Sequence, residues 1–523
     1  MWRSSHWPAA CSACSNFSEP TPAPGADSKP IFHFSKVFAK SSIKFRAVTG
    51  ILGRLVLIES LLLLVPLFVA LIYGEADWWH FLVASMLAAA CGGLAELAVG
   101  SSRTTIHARE GFIITSLVWI IFSLFGMLPF MLSDHPLSLT DAAFEVISGF
   151  TTTGASVIPD VEALSHGLLF WRAFIQWIGG LGIIFLMLAV LPELNKAVGI
   201  SMFNAEATGI THDKLHPRIR STAVSVWGVY CSLTLISVLL MWASPMNLFD
   251  AVCQTFTTVA TGGFSTRNAG MLAWHSDYLL VVTTVMMYLG GVSVMLLYTG
   301  FRTGPRVVFR NRVLRVYTLI IAGAYLCMMA YGFFSGAERT WHRLVLYPMF
   351  YVISAITSTG FGLEGTGSWG PFCLLVTLML MLLGSCAGST AGGIKVDRIM
   401  VVFRHFFNEL HRTVFQKRTY VVRLNGSQLT GDLSGRVGAF VTIYLLIAVL
   451  VTAYATILGY PLTDAFFLSA SCIGCNGLGW GATGSGFGAL PDSLKWVCSF
   501  EMLIGRLELF ACLVLLLPSF WKR

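Results

Sequence analysis

Four short stretches of this chain could ligate a dehydrated cation with backbone oxygens alone. They read Thr151-Thr152-Thr153-Gly154, Val259-Ala260-Thr261-Gly262, Thr357-Ser358-Thr359-Gly360 and Gly474-Cys475-Asn476-Gly477. A backbone that aims its carbonyls at an ion needs torsions that glycine visits at little cost. Rings of such carbonyls replace a cation's hydration shell in selectivity filters. One Thr-Gly pair is an ordinary turn signal. Four in register, each between apolar segments, point to a single helix–pore loop–helix unit repeated four times. The candidate ion-binding residues are Thr153, Gly154, Thr261, Gly262, Thr359, Gly360, Asn476 and Gly477.

Each loop needs elements to hold it. About a dozen residues upstream of each glycine a short helix-like stretch opens, at Asp141, Asp250, Tyr347 and Asp464. The three aspartates are expected as N-caps. Helices aiming their C-terminal ends at the loops would add about half a negative charge each, favouring a cation. Downstream, a second helix carries Gly179-Gly180, Gly290-Gly291, Gly384-Ser385 and Gly505-Arg506. The first glycine of that pair follows the loop glycine by 25, 28, 24 and 28 residues. Small residues there permit close helix packing; the shared spacing again marks a repeat.

The third unit differs in its second helix, which contains Gly384-Ser385-Cys386-Ala387-Gly388-Ser389-Thr390-Ala391-Gly392-Gly393-Ile394-Lys395. So many glycines should break the helix, and the break reads as an intramembrane gate loop. The candidate gate residues are Gly388, Ser389, Thr390, Ala391, Gly392, Gly393 and Lys395. The stretch is glycine-rich but lacks Gly-Lys-Ser/Thr after a strand, so it is not a nucleotide-phosphate loop. Arg506 stands near the middle of an apolar segment, where arginine costs about 2.5–3.5 kcal/mol on insertion scales. Glu508, two residues on, points elsewhere on a helix. A partner is therefore expected from the loop carbonyls or from the broken stretch.

Composition sets the medium. The chain is 55% hydrophobic and 11% charged, with mean hydropathy +0.73, which excludes an ordinary soluble domain and a disordered chain. Ten candidate spans fall at 50–73, 78–100, 111–133, 168–192, 221–243, 277–300, 315–334, 371–394, 437–459 and 494–519. The net charge of +8 is clustered at 29–54, 103–109, 196–220, 302–315, 395–436 and Lys522-Arg523, whereas 133–167 and 460–493 hold no Lys or Arg. That alternation is the positive-inside pattern. It predicts cytoplasmic termini, outward-facing loops and no nucleic-acid partner. The twelve cysteines form no disulfide framework. Cys11 and Cys14 have ligand spacing without a second pair, and the Pro/Ser-rich 1–30 stretch has no apolar core for a signal peptide. The Asn16 sequon is irrelevant on a cytoplasmic end. Cys472-x-x-Cys475 leaves a redox or metal role open. His135, His166, His275 and His342 share no spacing, and no His-Glu-x-x-His occurs, so an enzyme is not expected. A transporter built on inverted repeats would show two opposed halves; the four copies here run in one direction.

The chain resembles the Trk/Ktr/HKT superfamily of potassium transporters, in its bacterial TrkH type. The resemblance rests on Thr152–Ser156, Thr261–Thr266, Thr357–Phe361, Cys386–Arg398 and Gly505-Arg506-Leu507-Glu508, and covers roughly 45–520. It implies an all-α membrane protein of four pseudo-symmetric units after two extra N-terminal helices. The segments would be an N-terminal extension 1–44, the two helices 45–105, units at 106–195, 215–302 and 312–398 with the gate loop 384–395, a basic linker 399–435, and a fourth unit 436–523. It implies potassium uptake across the bacterial inner membrane, with potassium the only metal and no cofactor. Gly154, Gly262, Gly360 and Gly477 would be the filter glycines and Arg506 the gating arginine. Expected partners are a second copy of the chain and a cytoplasmic TrkA-type ring that carries any nucleotide, docked on 302–315 and 395–436. The family's fourth loop usually reads Asn-Asn-hydrophobic-Gly-Pro-Gly; Gly474-Cys475-Asn476-Gly477-Leu478-Gly479 keeps the glycine spacing only. A sodium-permeable or cation-coupled relative is the alternative. Gly154, in place of the serine of sodium-preferring relatives, favours potassium.

Overall fold

A computed structural model describes residues 43–99, 108–182, 219–335, 340–363, 370–415, 423–424, 427–428 and 431–521. Cys11, Cys14, Asn16, the basic residues between 183 and 218, and Lys522-Arg523 lie outside the described residues. The described chain is helical, apart from one ladder pairing Arg423 with Gln428 and Leu424 with Ser427.

Phe45–Ile72 and Trp78–Val99 form a helical hairpin. They cross at glycine distance: a Cβ on Gly92 would lie 2.7 Å from the Gly53 carbonyl oxygen. Arg54 and Glu96 pair at 3.0 Å on its flank. Four units follow, each a long helix, a short helix, a loop and a second helix. The long helices are Ala108–Gly126 (extended by Leu128–Leu132), Ile219–Trp242, Arg312–Phe334 and Gly431–Ile457. The short ones are Leu139–Phe150, Leu248–Val259, Tyr347–Ile356 and Leu462–Ile473. Twelve residues of helix reach only about 18 Å, against a hydrocarbon thickness of about 30 Å. Each short helix therefore ends inside the fold. Ala142–Phe150 is buried on every side, while Leu61 and Phe68 on the hairpin and Leu239, Leu319, Phe334 and Leu450 on the long helices point outward. The short helices and loops are the core, and the long helices present apolar side chains to lipid.

Among the described residues, six of the ten expected spans are helical segments long and apolar enough to cross a membrane. The other four, 168–192, 277–300, 371–394 and 494–519, coincide with the second helices, and none runs through as one helix. His166–Gly180 ends before Gly182, which sits at φ 84°. Asp277–Gly290 turns by 95° into Val294–Thr303. Gly370–Leu383 stops, and the chain resumes as a helix at Val396. Asp492–Arg506 ends at Glu508 and Leu509, with φ 55° and 54°. The expectation that only the third unit is broken is thus overturned. Its distinction is length: residues 384–395 separate its helices, against 291–293 and 507–509 in the second and fourth units. Hydropathy counts apolar residues and is blind to backbone direction, so turns made from Gly-Gly or Glu-Leu pass unseen. The basic linker expected at 399–435 begins inside the single helix Val396–Val414.

The aspartates at the short helices are not the caps. Ser138 Oγ accepts from the Asp141 amide at 3.1 Å, and Asn247 Oδ1 from the Asp250 amide at 2.7 Å. Pro461 precedes the fourth short helix. Ser138 and Asn247 already hold the extended backbone of a cap. The aspartates, one turn in, still favour the positive helix end and reach other segments. Asp141 meets Lys495 at 2.6 Å, Asp250 meets Thr266 at 2.7 Å, and Asp464 accepts from the Ala482 amide at 3.0 Å.

Candidate ion-pathway site

The four loops share one backbone trace. Each opens with a non-glycine residue in the left-handed region: Thr152 (φ 56°), Thr261 (φ 53°), Ser358 (φ 51°) and Cys475 (φ 49°). Two residues on stands a left-handed glycine: Gly154 (φ 80°), Gly263 (φ 80°), Gly360 (φ 79°) and Gly477 (φ 75°). Between them lie Thr153, Gly262, Thr359 and Asn476. Their amides donate back to the carbonyls of Ser148, Thr257, Ser354 and Ser471 at 2.8, 2.7, 3.0 and 2.8 Å. Torsions and hydrogen bonds give one register. In it the second loop is represented by Gly262 and Gly263, one residue later than the expected Thr261 and Gly262. A text match stops at the first glycine of Thr261-Gly262-Gly263; the backbone uses the second. Non-glycine left-handed residues cost about 1–3 kcal/mol each and persist only where the surroundings over-determine them.

The loops also close on one another. A Cβ on Gly154 would stand 2.0 Å from the Gly262 carbonyl oxygen, and one on Gly263 1.9 Å from that of Thr359. A Cβ on Gly360 would stand 1.8 Å from the Asn476 oxygen, and one on Gly477 2.1 Å from that of Thr153. The sequence of contacts returns to its start, so the four loops form a ring in chain order. Each glycine is required twice, by its torsion and by its neighbour's carbonyl.

Side chains brace the ring from behind. Gln176 donates to the Gly262 carbonyl at 2.8 Å and accepts from the Phe264 amide at 3.2 Å. Asn476 Nδ2 donates to the Ala355 carbonyl at 2.7 Å, tying the fourth loop to the third short helix. Thr151 and Thr153 hydroxyls meet at 2.8 Å, and Thr357 and Thr359 at 2.7 Å. A buried ion pair, Glu145 with Arg172 at 2.8 Å, links the first two loops. Glu145 accepts from the Val157 amide at 2.9 Å, while Arg172 donates to the Ser265 carbonyl at 3.2 Å and covers the Phe264 ring. Sequence reasoning missed Glu145, Arg172 and Gln176. Their signal was present: ionisable and amide groups inside apolar segments are expensive unless they are partnered. Further out, Asn268 binds Asp160 at 2.7 Å and the Val161 amide at 2.9 Å. The Asn268 amide group, with the Glu162 backbone N–H, holds the Asp160 carboxyl below its usual range.

The 384–395 loop lies against the ring. Thr390 Oγ1 is 3.1 Å from Thr261 Oγ1 and donates to the Val259 and Gly290 carbonyls at 3.2 and 3.1 Å. The Gly392 amide donates to Ser358 Oγ at 2.5 Å, and a Cβ on Gly392 would lie 2.1 Å from the Gly474 oxygen. Val294 and Cys386 amides pair with the Gly388 and Gly291 carbonyls. Ser389 Oγ donates to the Cys386 carbonyl, Lys395 Nζ to the Ala391 carbonyl, and Gly393 packs against Gly384. Arg506 completes the arrangement. Its guanidinium donates to the Thr390 carbonyl at 2.7 Å and to the Gly179 and Gly180 carbonyls. Of the two alternatives expected, the broken stretch is thus a partner; the end of the first unit's second helix is another. Through Arg506 the first unit joins the other three beside this loop. Just beyond it, Arg398 pairs with Glu508 and stacks on Phe440. Cys472 and Cys475 face different neighbours: Cys475 Sγ approaches the Met502 carbonyl at 3.6 Å, and Cys472 lies against Cys498.

A family model described as TrkH, cation transport protein, matches residues 79–334 and 337–523. The potassium uptake protein TrkH of Vibrio parahaemolyticus is 32% identical over 92% of this chain and 100% of its own length. TrkH of Escherichia coli K12 is 33% identical over 91% of this chain and 99% of its own, and TrkG of that organism is also 33% identical. The crystal structure of the potassium transporter TrkH from V. parahaemolyticus superposes with a TM-score of 0.84, covering 92% of this chain and all of the other at 31% identity. A ring of four glycine loops inside a helical membrane protein agrees with a transport role and not an enzymatic one, and on these matches the chain belongs to the TrkH family of cation transport proteins.

Proposed function

We propose that this chain carries potassium ions inward across a bacterial inner membrane through the ring of Gly154, Gly263, Gly360 and Gly477. The closed contact between each glycine and the next loop's carbonyl is the observation that carries the reading. Backbone oxygens of Thr153, Gly262, Thr359 and Asn476 each stand against a neighbouring loop's glycine, with four helix C-terminal ends behind the loops, which supports an environment suited to a dehydrated cation. The curated relatives are named for potassium uptake. The membrane potential supplies about 2.3 kcal/mol per charge per 100 mV.

The 384–395 loop, held by Arg506, is the gate: it closes the inner side of the ring, and moving it breaks the bond from Arg506 to Thr390. Gly388, Ser389, Thr390, Ala391, Gly392, Gly393 and Lys395 are its working residues. A homodimer, with a cytoplasmic nucleotide-binding ring docked on 302–315 and 395–436, would set its position. The loops face outward and both termini the cytoplasm, following the placement of Lys and Arg.

The test is growth of a potassium-uptake-deficient bacterium at limiting potassium, with rubidium and sodium uptake measured, with and without a TrkA-type partner. Rescue with rubidium flux supports the reading, and dependence on the partner supports the gated complex. Sodium flux without rescue would mean a sodium-permeable or coupled transporter. No flux from protein present in the membrane with its partner would sink it.

A further inference from the structure

Behind the fourth loop lies a set of side chains that ion passage over backbone carbonyls does not use. Cys472 is one residue from the end of the fourth short helix. Cys498 and Glu501, three residues apart, share a face of that unit's second helix. The two sulfurs and one carboxylate oxygen lie within 4.8 Å of one another. The Cys472 and Cys498 thiols face each other across the two helices. Each of the three residues is at most 1% exposed. Ser469 Oγ donates to Glu501 Oε1 at 2.5 Å, but Glu501 Oε2 has no hydrogen-bond partner. A buried carboxylate oxygen without a donor is costly and rare; a cation would satisfy it.

We propose that Cys472, Cys498 and Glu501 bind one soft divalent cation, zinc or cadmium, between the fourth short helix and the helix behind it. Two thiolates and a carboxylate are a ligand set for such ions. Bonds of about 2.3 Å to sulfur and about 2.0–2.2 Å to oxygen put tetrahedral ligand atoms roughly 3.5–3.8 Å apart. From at most 4.8 Å the cluster contracts by up to roughly 1.3 Å to reach that size, within the reach of side-chain torsions. Binding breaks the two S–H bonds and the O–H bond of the buried Glu501 acid, forms two metal–sulfur bonds and one metal–oxygen bond, and releases three protons to water, with no electron transferred. Ser469 holds the carboxylate in orientation from outside the ligand set. Because Cys472 precedes Gly474 by two residues, an occupied site fixes the root of the fourth loop.

The experiment uses the purified full-length chain in detergent, kept reduced with a phosphine, and titrates cadmium. The expected result is about one tightly held ion per chain, with a sulfur-to-cadmium charge-transfer band in the ultraviolet. Cys498→Ser should weaken both the band and the affinity, and Glu501→Gln should weaken binding by about tenfold or more. If one variant does not elute as a single species, the other decides. A wild-type chain with no band at saturating cadmium overturns the proposal, as does a band and affinity unchanged in both variants. Binding is read without transport, so the result stands apart from the fate of the potassium reading.

Discussion

Substituting the two adjacent glycines of the second loop separates the register seen in the structure from the one legible in the text. A Cβ at Gly263 would lie 1.9 Å from the Thr359 oxygen, where contacts below 3.0 Å are essentially unknown, so that carbonyl or its loop must move by about 1 Å. The residue also sits at φ 80°, which costs an alanine about 1–2 kcal/mol. With overpacking of about 1–3 kcal/mol, Gly263→Ala loses about 2–5 kcal/mol, less than a typical total stability of about 5–15 kcal/mol. The chain should fold with its ring distorted. At Gly262 a Cβ meets the end of the Gln176 side chain at 2.4 Å and has no left-handed torsion. Gln176 can swing aside for the loss of its two hydrogen bonds, with the Gly262 carbonyl and the Phe264 amide, about 1–3 kcal/mol together. In rubidium-versus-sodium uptake, Gly263→Ala should lose about tenfold or more of the rubidium preference and Gly262→Ala a smaller factor, since about 1.4 kcal/mol is tenfold. Equal effects, or the reverse order, would refute the register and the ring.

Other substitutions probe separate parts of the molecule. Gly154→Ser puts a side chain 2.0 Å from the Gly262 oxygen and should weaken potassium preference; unchanged ion ratios would count against the filter. Arg506→Ala removes the bond to Thr390, worth about 1.5–3 kcal/mol for a charged donor, so partner-independent rubidium leak should rise by roughly 10- to 100-fold; an unaltered flux would dismiss the gate. Glu145→Gln leaves Arg172 buried with a neutral partner and should cost about 3–5 kcal/mol, read as a fall in thermal midpoint, while a midpoint within a degree of wild type would show the pair to be dispensable. The Asp160 carboxyl is depressed in the folded state. Its tie to Asn268 is therefore complete above the ordinary carboxylate range near pH ~4 and is lost as pH falls through the lower folded value. The stability gap between wild type and Asp160→Asn should shrink on acidification; a gap that widened would reverse the sign of the argument.

Much of the architecture follows from one-dimensional pattern. The four loops are legible because glycine is the residue whose torsional freedom a carbonyl-lined turn demands, and because copies at nearly constant spacing cannot be accidental. Hydropathy marks the six helical segments able to cross a membrane, since a lipid-facing helix must be apolar over its length. The 384–395 break is visible because four glycines remove the side chains that would stabilise a helix. Tertiary structure alone decided the rest. Which glycine of Gly262-Gly263 turns left-handed depends on where the Thr359 carbonyl stands, a residue nearly a hundred positions away. The breaks at 291–293 and 507–509 leave hydropathy unchanged. Arg506 announces itself as a charge in an apolar segment, but its carbonyl partners at Thr390, Gly179 and Gly180 carry no side-chain signature. Cys472 reads as half of a Cys-x-x-Cys pair, yet helical geometry turns it toward Cys498, because contacts between helices are set by which faces meet and not by distance along the chain.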